Sequence, residues 1–307
     1  MTQPQPSQDR PRGWVVGRVA GAPVVLAPSS LLGAVVLTLV FAPSLAGLGS
    51  RAYVVAAAFV VLLFASVLVH ELAHGLVARR RGQQPRAFVL TLWGGHTTFS
   101  GPDPGPATTA LVAVVGPVAN LLLAAVFLGL ARVAPAGSLG EWLMYSGALS
   151  NGFVGAFNLV PGLPLDGGRI LQAAVWAGTK DRNTGSVVAG WCGRVVAIGT
   201  LGLALGVPLA GGSSPSLFTI AWAALIAAFL WSGASQSIAA GHRGKQVDTL
   251  SVHTVGRPAV GVPYDVTVLE AGLRAQAAGA LDVVLLAPDG RPAAFVDTAA
   301  AASVPAE

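Results

Sequence analysis

Long apolar runs separated by short polar stretches dominate the chain. Each run holds about 20 or more mostly apolar residues, the length that a membrane-spanning helix needs. The runs cover roughly residues 24–48, 53–78, 108–131, 142–176, 188–210 and 216–240. The fourth run is too long for one span and contains a proline- and glycine-rich interruption. The pattern predicts an α-helical polytopic membrane protein with about six transmembrane helices.

A different pattern lies between the second and third runs. Residues 82–107 contain β-prone and apolar residues that alternate around Gly94 and Gly95. This arrangement predicts a short extended element or hairpin. Because the segment is aromatic and adjoins the membrane, we expect that it can dip into the bilayer.

The chain changes character again at residue 247. Thr267 followed three residues later by Glu270 is the signature of a capped helix start. Residues 281–286 read as a strand, and Asp289-Gly290 is a hairpin turn signal before a return strand. We therefore predict three regions: a disordered tail at 1–13, a membrane domain at 14–246 and a small soluble α/β segment at 247–307.

Composition supports a membrane location. Of the 307 residues, 53% are hydrophobic and only 10% are charged, whereas soluble domains carry about 25% charged residues. The net charge of +5 does not indicate nucleic acid, because no basic patch studded with aromatic residues accompanies it. Cys192 is the only cysteine, so a metal site must use histidine or carboxylate ligands.

The basic residues predict the orientation in the membrane. Lys and Arg are enriched in cytoplasmic loops, and a cytoplasmic N-terminus puts eleven of them inside and two outside. The inside set is Arg10, Arg12, Arg18, Arg79, Arg80, Arg81, Arg86, Lys180, Arg182, Arg243 and Lys245, and the outside set is Arg51 and Arg132. Both termini are therefore expected in the cytoplasm.

Only two of the thirteen acidic residues, Glu71 and Asp166, lie within the apolar runs. A charged side chain at the bilayer centre costs about 2.5–3.5 kcal/mol, so each needs a partner or a function. Glu71 belongs to the sequence HELAH at 70–74, where helical spacing puts His70 and His74 on one face for one metal ion. Glu71 can then take a proton from metal-bound water. A chance match is the alternative, but it leaves three polar side chains unexplained in lipid.

The interruption of the fourth run is the candidate source of a third ligand. A hydrolytic zinc site commonly has three protein ligands and leaves a fourth position for water. Residues 158–169, NLVPGLPLDGGR, hold two prolines and three glycines. Broken backbone at membrane depth needs protein or a water-filled cavity to satisfy it. Asp166 in this break is therefore a candidate ligand; the alternative is a cytoplasmic loop in which Asp166 is solvated.

These two motifs together resemble those of the site-2 protease family of intramembrane zinc metalloproteases, over about residues 14–240. The resemblance implies one zinc ion per chain, held by His70, His74 and Asp166. It also implies that Glu71 is the catalytic acid and base.

Further roles follow from the same resemblance. Asn158 matches the family asparagine near the metal, so we predict a catalytic role in holding the substrate backbone or the oxyanion. Gly94 and Gly95 resemble the family's Gly-Gly loop, which contacts extended substrate. Asn120 closes the sequence GPVAN at 116–120, which resembles the family core, and we predict it to be substrate-binding together with the two glycines.

The tail from Leu250 to about Ala300 resembles one cystathionine-β-synthase-type (CBS) motif. Such motifs normally work in pairs, and one is present. The acidic residue that would hold a nucleotide ribose is missing, because alanines follow Thr298. A nucleotide sensor, a plain folded appendage and a dimerising appendage all remain open, and we expect a homodimer through this segment.

The expected function is hydrolysis of peptide bonds in a membrane-anchored protein, such as a tethered transcriptional regulator, within or beside the lipid bilayer of a bacterial plasma membrane. A membrane metal-ion transporter is one alternative, but it predicts polar residues strung across several spans. A catalytically inactive membrane scaffold is the other, and the intact Glu71 argues against it.

Overall fold

The computed structural model describes residues 13–92, 94–102, 104–251 and 256–296. The predicted disordered tail at 1–13 therefore lies almost wholly outside the described residues. The chain divides into two compact units between Gly244 and Lys245.

The first unit consists mainly of helices. Five helical stretches are long and apolar enough to cross a membrane among the described residues. Large apolar side chains point outward from them, and Val61, Leu122 and Leu203 are each more than 60% exposed. Helices that are apolar on every side need a lipid solvent, so the predicted α-helical membrane fold is confirmed. The helices are α1 (Pro28–Phe41), a 3-10 helix (Ala42–Arg51), α2 (Ala52–Arg80), α3 (Pro106–Val133), α4 (Leu139–Asn158), α5 (Asp166–Thr179), α6 (Arg182–Ala210) and α7 (Leu217–Thr249).

The interruption predicted in the fourth run is present in the structure. α4 ends at Asn158 and α5 begins at Asp166. Pro161 and Pro164 lie in the break and have no backbone N–H to continue a helix. Neither α4 nor α5 is among the five apolar spanning helices, so the predicted count of six becomes five spanning helices and one broken pair.

The break is held in place by protein contacts. The N–H of Leu163 donates to the carbonyl of Ala189 in α6 at 3.0 Å. The side chain of Leu165 is buried against Leu230 of α7 and Ala227 beside it. Irregular backbone at membrane depth is thus satisfied internally, as the absence of water in a bilayer requires.

A four-stranded sheet covers the end of α2 that carries the HELAH sequence. Its strands are β1 (Trp14–Val19), β2 (Ala22–Leu26), β3 (Gln84–Thr91) and β4 (Gly94–Ser100), in that spatial order. The β1/β2 and β3/β4 pairs are antiparallel and β2/β3 is parallel. Phe88 of β3 is fully buried and packs near Leu68 and Leu72 of α2. The predicted hairpin around Gly94 and Gly95 is confirmed as β3/β4.

The start of the first predicted span also differs. Residues 24–26, assigned to a helix from their hydrophobicity, belong to β2, and α1 begins at Pro28. Val24 and Val25 are buried because they pair with β3, which lies about 60 residues later in the sequence. A short run of apolar β-branched residues serves a buried strand as well as a helix.

The second unit is a three-stranded sheet with one helix. It comprises β5 (Ala259–Pro263), α8 (Val268–Ala277), β6 (Asp282–Leu286) and β7 (Pro292–Val296). Its strand order is β5-β6-β7, with β5/β6 parallel and β6/β7 antiparallel. The hydroxyl of Thr267 accepts from the N–H of Glu270, which confirms the predicted helix start. The likeness to a CBS motif stays a prediction.

Candidate metal centre

Three buried side chains from two helices converge at one point. His70 and His74 lie one turn apart on α2, and Asp166 is the first residue of α5. The Nε2 atoms of His70 and His74 lie 2.8 and 3.1 Å from Oδ2 of Asp166. Asp166 is 8% exposed, so the alternative of a solvated loop aspartate is excluded.

The far side of each imidazole ring is anchored by helix α3. Nδ1 of His74 donates to the carbonyl oxygen of Val112 at 2.6 Å, and Nδ1 of His70 contacts Oδ1 of Asn120 at 2.7 Å. A carbonyl oxygen can only accept, so the proton of a neutral His74 lies on Nδ1 and Nε2 presents a lone pair. That lone pair faces a carboxylate oxygen, which is also an acceptor.

Acceptors that meet at one point are stabilised by a cation. The ligand atoms of His70, His74 and Asp166 lie within 4.8 Å of one another. Two imidazole nitrogens and one carboxylate oxygen form a donor set that zinc takes in catalytic sites, with a fourth position left open. The three residues therefore fit a zinc ion.

Asp166 is presented by the start of a helix. The first backbone N–H groups of a helix have no intrahelical partner, and the helix dipole favours a negative charge there. Asp166 occupies that position in α5. The break before α5 thus both stops α4 and supplies a stabilising place for a buried carboxylate.

Glu71 lies beside the edge strand of the sheet. Its Oε2 accepts a hydrogen bond from Oγ1 of Thr97 in β4 at 2.7 Å. A Cβ on Gly95 would stand 2.5 Å from Cγ and 2.9 Å from Oε1 of Glu71, so only glycine lets β4 approach this closely. Thr97 was not anticipated from the sequence, although it follows Gly95 by two residues and therefore shares its face of the strand.

Gly116 explains how α3 comes close to both histidines. A Cβ at this position would stand 2.5 Å from Nε2 of His74 and 2.8 Å from Cε1 of His70. The glycine of the GPVAN sequence is therefore needed for α3 to pack against the two histidines.

The remaining predicted residues lie in different surroundings. Gly94 opens β4 next to Gly95. Asn158 ends α4, where its Nδ2 donates to the carbonyl of Val154 at 3.0 Å, and its catalytic role stays a prediction. Asn120 has no exposed surface and lies behind the His70 ring. The predicted contact of Asn120 with substrate stays a prediction.

The fold and the site define a helical membrane protein with a buried metal centre of two histidines and one aspartate. The model of Peptidase family M50 matches residues 58–141 and 136–199. In the solved structures, the chain resembles the site-2 protease from Methanocaldococcus jannaschii, with a TM-score of 0.53 and 25% identity. That match covers 73% of this chain and 94% of the other.

Curated proteins that are similar in sequence are also named as zinc metalloproteases. "Putative zinc metalloprotease Rip3" of Mycobacterium tuberculosis is 36% identical over 210 residues, covering 63% of this chain and 51% of that protein. A similarly named protein of Synechocystis is 34% identical over 234 residues, covering 72% and 59%. Another, from Methanocaldococcus jannaschii, is 33% identical over 132 residues, covering 36% of this chain and 68% of that protein.

The chain therefore belongs to peptidase family M50, the site-2 protease family of zinc metalloproteases, as the two motifs indicated. It spans about half the length of the curated Mycobacterium relative.

Proposed function

We propose that this chain is an intramembrane zinc metalloprotease that hydrolyses peptide bonds of membrane-anchored proteins. The observation that carries the proposal is the position of Glu71, next to a converging His70, His74 and Asp166 and against a sheet edge. A metal-ion transporter has no need of an acid beside its ligands that also borders an extended strand.

The chemistry follows from these positions. Zinc bound by the three residues would supply Lewis acidity, which polarises a carbonyl and makes water more acidic. The carboxylate of Glu71 accepts the proton of the attacking water and delivers it to the leaving amine. The hydroxyl of Thr97 holds one oxygen of that carboxylate, which orients the other. Asn158 is proposed to donate its amide to the substrate backbone or the oxyanion.

Substrate entry is proposed along β4. A transmembrane helix hides its amides, so the substrate must unwind before it is cut. Among the described strands β4 pairs only with β3, and an open strand edge accepts an extended peptide as a further strand. Gly94 and Gly95 leave room for that peptide beside Glu71.

The setting of the reaction is also a proposal. The distribution of Lys and Arg supports cytoplasmic termini, which requires that α4 and α5 together cross the membrane once. The membrane is proposed to be a bacterial plasma membrane. Substrates would then be single-span proteins such as tethered transcriptional regulators, and the cut would release their cytoplasmic part in regulated intramembrane proteolysis.

The test compares Glu71→Gln with wild type on candidate single-span proteins, co-expressed and scored by the appearance of a cleaved product. Because Gln cannot accept the proton, we expect cleavage to fall about 10²–10⁴-fold, with zinc content unchanged. Glu141→Gln is the matched control. Glu141 lies in the first turn of α4, at the end away from Asn158, and its side chain accepts from the N–H of Gly137. Full activity in Glu71→Gln contradicts the mechanism.

A further inference from the structure

A group of buried polar side chains lies behind His70, and the proposed reaction makes no use of it. Ser66 of α2, Asn120 of α3 and Asn151 of α4 are each at most 2% exposed. Polar groups buried in apolar surroundings persist where they are hydrogen-bonded. Three helices converge here on one amide, that of Asn120.

The orientation of the Asn120 amide is determined by its neighbours. Its Nδ2 lies 3.1 Å from the backbone carbonyl oxygen of Ser66, which can only accept. The same Nδ2 lies 3.0 Å from Oδ1 of Asn151, whose own Nδ2 donates to the carbonyl of Gly147 at 2.9 Å. Two backbone carbonyls therefore exclude a flipped amide, and Oδ1 of Asn120 faces Nδ1 of His70.

This orientation determines which nitrogen of His70 carries the proton. An amide oxygen accepts, so Nδ1 of His70 must donate. In the neutral ring Nε2 is then free of a proton, and its lone pair points to Asp166. We propose that Asn120 is a positioning residue that holds His70 in this tautomer and orientation for the metal, and that it does not contact substrate.

The geometry extends along one face of α3. Val112, Gly116 and Asn120 follow at intervals of four residues, which places them on one side of the helix. Val112 anchors His74 through its carbonyl, Gly116 admits both rings, and Asn120 anchors His70. The helix thus supports both histidines of α2 from behind.

The test measures zinc affinity by competition with a chromogenic chelator on purified protein in detergent, and the absorption spectrum of the cobalt-substituted protein. Loss of a hydrogen-bond partner of a metal ligand typically costs about 10–100-fold in affinity. We expect Asn120→Leu to lose that much and to change the cobalt spectrum. Asn120→Asp keeps an acceptor for Nδ1, although its second oxygen meets the acceptors that Nδ2 of Asn120 bonds. Folded Asn120→Asp should therefore bind zinc more tightly than Asn120→Leu, which mere packing would not explain.

Ser150→Ala is the matched control. Ser150 is as buried as Asn120, but its hydroxyl contacts the carbonyl oxygens of Ser146 in α4 at 2.8 Å and of Phe59 in α2 at 3.5 Å. Its affinity and spectrum should equal those of wild type. If Asn120→Leu does not fold, Asn120→Ser, which is too short to reach Nδ1, is judged in its place. Wild-type affinity and spectrum in a folded Leu or Ser variant overturn the proposal.

The role of Asn120 in holding His70 for the metal is independent of the proposed function, and only its importance for peptide hydrolysis rests on that function. If wild type cleaves no candidate substrate, the proposed function fails, whereas the zinc and cobalt measurements still decide the role of Asn120.

Discussion

Helix α2 and the broken pair α4–α5 supply ligands to the same metal centre in different ways. On α2, two ligands lie four residues apart in an unbroken helix of 29 residues. The third ligand starts a new helix after a break of residues 159–165, and it lies 92 residues beyond His74. Local geometry therefore aligns the first two ligands, whereas the position of the third depends on how α5, α6 and α7 hold the break.

The histidines and the aspartate are also held in position by different kinds of contact. The histidines have hydrogen-bond partners on α3, in Val112 and Asn120. Asp166 has the start of its own helix and a buried Leu165 just before it. A substitution of a histidine on α2 should therefore lower zinc affinity directly. A substitution near the break should lower it indirectly, by displacing Asp166.

The largest effect is expected from His74→Ala. Removing one of three ligands should lower zinc affinity by more than the roughly 10–100-fold that losing a ligand's hydrogen-bond partner costs, and cleavage should disappear. Zinc content by atomic absorption and product formation are the measurements. His242→Ala is the control, because His242 is exposed in α7. If His74→Ala retains zinc, His74 of α2 is not a ligand of the metal.

A smaller loss is expected from Asp166→Asn. The carboxamide keeps an oxygen at the same reach but lacks the negative charge that favours zinc and the helix start. Zinc affinity should lie between those of wild type and His74→Ala. Asp181→Asn makes the same chemical change at the start of α6 and should leave affinity unaltered. An Asp166→Asn protein with wild-type affinity would show that the negative charge of Asp166 does not help to hold zinc.

A third prediction concerns the strand that orients Glu71. Thr97→Val removes the hydroxyl and keeps the shape, so one hydrogen bond to a charged group is lost, worth about 1.5–3 kcal/mol. Cleavage should fall about 10-fold or more while zinc content stays constant. Thr97→Ser, which keeps the hydroxyl, should stay near wild type.

Thr98→Val is the neighbouring control for that strand, since Thr98 is exposed on the other face of β4. Equal cleavage by Thr97→Val and wild type would show that the Thr97 hydroxyl does not position Glu71.

The smallest effect is expected from the C-terminal unit, none of whose described residues belongs to the metal centre. Its three-stranded sheet leaves β5 and β7 as edges among the described strands, and Leu269, Leu273 and Phe295 are mostly exposed. Open edges and apolar side chains favour pairing of two chains. Removing the residues after Thr249 should weaken a homodimer and shift substrate choice or rate, with zinc retained.

Molar mass in detergent and the cleavage rate of the shortened chain check this prediction. If both equal those of the full chain, the segment is a passive appendage.

The sequence by itself determined what depends on near neighbours in the chain. The spacing of His70 and His74 aligns two imidazoles on any helix, and the apolar composition requires lipid around α2, α3, α6 and α7. The hairpin at Gly94 and Gly95 and the helix start at Thr267 follow from local turn and cap preferences. Pro161 and Pro164 predict the break before Asp166, because proline cannot continue a helix.

Tertiary structure alone decided what depends on distant partners. Residues 24–26 became a strand because β3 pairs with them, and Thr97 reached Glu71 because β3 carries β4 along α2. Nothing in the sequence near Asn120 indicates that its amide faces His70, 50 residues earlier. Apolar helices can pack in many arrangements of similar hydrophobicity, so only the packed fold determines which polar side chains meet.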